Sequence, residues 1–122
     1  MGCLLGLCLC LLSAVPRATV DVDALPEEYR ATARAILAEP SLVSNLPRTP
    51  VAANDTVMTY LLDHLPLCAA MGRNLGWSHY LLDELPDGAL HLDDREGLEA
   101  TMTEVARTDS GRTYLVHGYY RL

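Results

Sequence analysis

Three histidines and a pair of aspartates are the side chains in this sequence best suited to hold a metal ion. His91 and Asp93 stand two apart with Asp94 beside them, and His79 and His117 lie in the same half of the chain. Residues two apart on a strand share a face, so His91 and Asp93 can point together while a neighbouring strand adds His117. Zn²⁺ needs three or four ligands converging on one point. The spacing supplies no His-Glu-x-x-His, no paired Cys-x-x-Cys and no His-x-His. These residues therefore read as polar positions on a wet sheet face, and neither a metal site nor a cofactor is expected.

Covalent chemistry has less support. There is no Gly-x-Ser-x-Gly elbow. Ser78 and His79 are adjacent, and adjacent residues of a strand point to opposite faces. Asp93-Asp94-Arg95-Glu96-Gly97 is the densest charged stretch, and a tight turn between strands accounts for it. Cys68 sits in Leu-Cys-Ala-Ala-Met, the setting of a buried inert thiol. No catalytic residue is assigned. Trp77, Tyr114, Tyr119 and Tyr120 are the candidate ligand-binding residues, because together they could line a pocket for an apolar or ring-shaped ligand. The ordinary fate of such aromatics is the core.

These side chains need a scaffold, and residues 77–122 supply a meander. Pro86-Asp87-Gly88 and Thr108-Asp109-Ser110-Gly111 are turn signals. Strands are expected at 77–85, 89–93, 98–107 and 112–121. Leu90 and Leu92 alternate with His91 and Asp93, and Leu98, Ala100 and Met102 alternate with Glu99, Thr101 and Thr103. A period of two marks a sheet with one face buried and one wet. The apolar set changes face between Met102 and Val105, so a bulge is expected near Thr103 or Glu104. Pairing Arg107 with Arg112 would set Val105 opposite Tyr114 and Thr103 opposite Val116. The last strand is apolar or aromatic on both faces, the pattern of a strand central in its sheet. Either the helices and another strand cover it, or the domain is incomplete at its C-terminus.

Helices come first along the chain. Leu25, Tyr29, Ala33, Ile36 and Leu37 form an apolar stripe over a helix from about Pro26 to Glu39, with Glu27 and Glu28 at its positive end. Residues 41–53 read as an ordered linker with at most one helical turn. Asn54 or Asp55 caps a second helix with Val57, Met58, Leu61, Leu62 and Leu65 inward. Pro66 opens a third, with Leu67, Met71 and Leu75 on one face and Gly76 as its stop.

The chain of 122 residues suits one domain, and half of them are hydrophobic, which excludes global disorder. A net charge of −7 disfavours nucleic acid and anionic membrane surfaces as partners. The run from Cys3 to Leu12 is too short to span a bilayer, which takes roughly 20 apolar residues. It fits the apolar centre of a secretory signal, although no Lys or Arg precedes it. Residues 1–18 are thus a signal-peptide-like leader and 19–122 a single domain, exported to the periplasm or outside the cell. A membrane-tethered lipoprotein ranks behind, because Leu7 and Leu9 precede Cys8 and Cys10 where a small residue is wanted. Beyond the leader Cys68 is the one cysteine, so packing alone must hold the domain.

The fold class is α+β: two or three N-terminal helices packed on an antiparallel meander of about four strands. At the level of topology this order resembles the helix-grip domains of the START-like superfamily without their closing helix, which implies an apolar cavity between helices and sheet. Two functions follow. One is non-catalytic binding of an apolar small molecule or a protein partner, with self-association through the last strand. The other is a small hydrolase using a metal on the sheet face. Mass spectrometry of exported protein is expected to find a new N-terminus near Ser13, Ala14 or Ala18; an intact Met1 would contradict cleavage.

Overall fold

A computed structural model describes residues 19–47, 49–109 and 111–121. The leader, with its cleavage candidates, and Leu122 lie outside the described residues. The order is a 3-10 turn at Val22–Ala24, helices α1 (Glu27–Ala38), α2 (Asp55–Asp63) and α3 (Leu65–Asn74), then strands β1 (Leu81–Glu84), β2 (Leu90–Asp93), β3 (Leu98–Thr108) and β4 (Gly111–Tyr120). This is an α+β fold in which the helices precede an antiparallel sheet.

Local chemistry sets the helix ends. Asn54 caps α2, its Oδ1 accepting from the Val57 amide at 2.8 Å. His64 closes α2 and opens α3, and Pro66 falls in the first turn of α3, where its missing N–H costs nothing. At the far end the Trp77 amide donates to Gly72 and the Gly76 amide to Arg73, with Gly76 at φ +71. That double bond with a left-handed glycine is a Schellman stop. It uses Trp77 as part of the helix cap, so β1 begins at Leu81 and not at Trp77. Residues 41–53 form no helical turn among the described residues.

The strands pair in the order β1-β2-β3-β4. Leu82 lies opposite Leu92, Leu92 opposite Ala100, and Leu90 opposite Met102, which lies opposite Val116. One face thus carries Leu82, Leu90, Leu92, Leu98, Ala100 and Met102. Between Glu104 and Ala106 the β3–β4 register shifts, making Val105 the bulged residue. Arg107 does pair with Arg112, but the extra residue moves every pair beyond it by one. Tyr114 therefore faces Glu104, not Val105, and Thr103 faces Leu115, not Val116. The bulge also lets Val105, out of phase with Met102, be buried. A second correction concerns β4, which is an edge strand and not a central one.

The core gathers Ala69, Leu82 and Leu90, with Leu65, Leu92, Met102 and Tyr114 packed around them. Helix α3 meets the sheet through Leu65, Cys68 and Ala69, and Gly72, at the next turn of the same i, i+3, i+4, i+7 set, faces Ser78 just before β1. Its other apolar stripe, Leu67, Met71 and Leu75, points to solvent, as does Val57 of α2. Both faces of α3 are apolar. The smaller residues win the inner position because they let the helix axis come close to the strands, which bulky side chains would hold apart.

Gly118 shows how tight the sheet is at its edge. A Cβ there would stand 2.6 Å from both the Ala100 Cβ and the Glu99 carbonyl oxygen. Gly118→Ala is expected to lower stability by about 1–3 kcal/mol through overpacking. Urea denaturation checks it; an unchanged midpoint would show that β3 and β4 separate there freely.

Candidate functional site

Of the metal candidates His91, Asp93 and His117 fall on a common face of the sheet without converging, and His79 and Asp94 lie outside the strands. His91 lies opposite Thr101, and Thr101 opposite His117, so the two histidines share a face with a whole strand between them. Asp93 and Asp94 are occupied by the β2–β3 turn: Asp93 Oδ1 accepts from the Arg95 amide, and Asp94 Oδ1 from those of Glu96 and Leu98. These backbone donors, led by that of Glu96, hold the Asp94 carboxyl below its usual range. His79 reaches Glu96 at 3.0 Å. Among the described residues no three His, Cys, Asp or Glu side chains are grouped to hold an ion.

The four aromatics are likewise divided. Trp77 is 80% exposed in the cap of α3. Tyr119 and Tyr120 are neighbours on β4 and so point to opposite faces. Tyr119 donates to Glu99 at 2.7 Å, and Tyr120 to the Glu96 carbonyl at 2.8 Å. Tyr114 alone is drawn into the interior, where burial, with Glu104 adding to it, pushes its phenol pKa up. The set of four does not form one pocket.

A different set does line a groove. Leu25, Tyr29, Ala33, Ile36 and Leu37 of the α1 region face Val105 and residues 113–116 across a space of about 260 Å³. Leu25 at the mouth of α1 is almost fully buried, while Ile36 and Leu37 remain half exposed. Of the candidate ligand-binding residues only Tyr114 belongs to this groove. The α1 stripe is plain in the sequence as helical spacing. What could not be read there is that α1 lies beside β4, because that placement depends on which strand forms the edge.

A second cleft runs between α2 and the β3–β4 hairpin, lined by Asp55, Met58, Thr59, Leu62, Arg107, Thr108, Asp109 and Arg112. Its two arginines suggest an anion, but their charge is already matched. Asp63 Oδ1 accepts from both Arg107 and Arg112 at 2.8 Å, and Arg107 also pairs with Glu104. Asp55 and Asp109 stand over the same cleft. The cluster is a clamp that ties α2 to the hairpin. Asp63 is the sequence-distant member, 49 residues from Arg112.

Arg112 holds the Asp63 carboxyl below its usual range. A depressed folded-state pKa gives stability that is present above the unfolded value, roughly 3.9, and lost as pH falls through the folded value. Asp63→Asn should be less stable than the parent at pH 7 and lose less on acidification to pH 3. Urea midpoints across that range test this; parallel pH profiles for the two proteins would contradict it.

Comparison with protein-family models, with curated proteins and with solved structures finds no match to this chain.

Proposed function

We propose that the protein is an exported, non-catalytic binding domain whose binding element is β4 together with the α1 groove beside it. The observation that carries this reading is the groove itself: nearly all its lining is apolar, with Tyr29, Thr113 and Tyr114 contributing the hydroxyls. Its volume of about 260 Å³ falls just under the roughly 300–1,000 Å³ of sites for drug-sized ligands. That suits a single ring or a short acyl chain.

The charge pattern supports the choice of partner. The chain carries −7, yet residues 110–122 contain no acid and residues 111–116 add only Arg112, which is held by Asp63. The groove wall on β4 is thus electrically quiet, which favours a neutral apolar guest over a charged one. Export rests on the apolar run at residues 3–12 and on the small residues after it.

The test is titration with N-phenyl-1-naphthylamine, a neutral probe that brightens on leaving water. Saturable binding is expected, displaced by 1-decanol. Ile36→Trp fills the groove and should weaken probe binding about tenfold or more, the effect of losing a snug apolar contact. Tyr119→Ala, on the opposite side of the strand from Tyr114, should leave it unchanged. Equal binding by the parent and Ile36→Trp would sink the reading.

A further inference from the structure

We infer that the second half of β4, residues 116–120, is a pairing edge for a second copy of this chain. It would join antiparallel about a twofold axis at Gly118. This rests on the reading of β4 as the binding element and names its protein partner.

Three observations lead there. First, the edge is open. From Val116 onward every described residue is exposed, with Val116, Tyr119 and Tyr120 at 51, 56 and 59%. Gly118 has no side chain, so its exposure is exposure of the backbone itself. A β4 strand that ends the sheet order presents unpaired N–H and C=O groups along that stretch. Secondly, the usual guards are missing. This part of β4 holds no Pro and no Lys, and the bulge lies on β3 at Val105. Arg121, the flanking charge, is turned onto Glu99 of its own sheet.

Thirdly, the strip of surface at this edge lets a second copy approach without charge repulsion, and its sequence suits pairing with itself. Two molecules at −7 each repel over most of their surfaces. Residues 110–122 are free of acid, and both arginines there have a carboxylate partner, Asp63 for Arg112 and Glu99 for Arg121. Two copies can therefore meet along β4 with little electrostatic cost. The stretch is also self-complementary. With the axis at Gly118, Val116 faces the partner's Tyr120 on one side and His117 faces the partner's Tyr119 on the other. Aromatic with β-branched is a favourable cross-strand pairing. The α1 groove takes in residues up to Val116, which limits the new ladder to about five residues a side, 116–120. Such an interface is small against the roughly 1,200–2,000 Å² of stable complexes, so the dimer is transient, with a dissociation constant on the order of 10⁻⁴ M.

Sedimentation equilibrium of the chain without ligand, up to about 1 mM, reads this directly. The parent should dimerise. Val116→Lys and Tyr120→Glu should each weaken association about tenfold or more. Mixing the two should restore it, because the ammonium introduced in one variant then faces the carboxylate introduced in the other. His117→Glu with Tyr119→Lys repeats the complementation on the other face, should either first variant lose its fold by circular dichroism. A monomer throughout, a dimer indifferent to all four changes, or mixtures that fail to recover would each overturn the proposal. Ile36→Trp should dimerise like the parent. If it does not, the interface lies in the groove and the edge pairing is wrong. Failure of the naphthylamine probe to bind would count against the groove and leave the dimer result standing.

Discussion

The contact on which the rest of the structure depends is that of Ala69 with Leu82 and Leu90. Ala69 is 1% exposed, and it is the only residue of the three helices that is fully buried. A methyl group at that point lets α3 settle on β1 and β2 closely enough for Leu65, Leu92, Met102 and Tyr114 to close around it. Everything else is attached to this nucleus. Asp63, two residues before α3, reaches across to Arg107 and Arg112 and fixes the hairpin end of the sheet to the helical layer. The Schellman stop at Gly76 then turns the chain from α3 into β1. The core is small, and among the described residues no disulfide relieves it of the task, since Cys68 is a free thiol.

The small core explains the shape of the surface. Among the described residues seven hydrophobic side chains are buried, while Leu67, Met71, Leu75, Trp77 and Tyr80 stay in contact with water. One helical layer covers the face of the sheet that carries Leu82, Leu90 and Met102. Helix α1 lies instead beside β4, against residues 113–116. That arrangement covers the first half of β4 and leaves the second half open. The groove and the free edge are two consequences of the same fact: the α1 region faces β4 only at residues 113–116.

Much of the framework was legible in the residues. Alternation in β2 and β3, the Pro86-Asp87-Gly88 turn, the Asn54 cap and the Gly76 stop are each local, and local chemistry decided them. The bulge was legible too, because Met102 and Val105 cannot both be inward in an unbroken strand. Its place beside Glu104 was legible as well, and only the choice of Val105 as the unpaired residue depends on how β4 docks. The inner face of α3 was not legible, for a related reason. Leu67, Met71 and Leu75 form a stripe as good as Leu65, Cys68, Ala69 and Gly72 by hydropathy alone, and only the distance to the sheet chooses between them. The four aromatics were grouped by type, but Trp77 belongs to a helix cap and Tyr119 and Tyr120 to opposite faces. Composition cannot say which of them share a space.

Strand β4 is half covered and half open. Residue-resolved amide exchange along the strand tests it most directly. At low concentration uniform protection is expected up to Tyr114, then alternation from Val116 to Tyr120. In that second stretch amides bonded to β3 are slow and outward ones fast. At high concentration the fast set should slow. Uniform slow exchange through Tyr120 in dilute protein would mean that the edge is already covered within one chain, and would contradict the account.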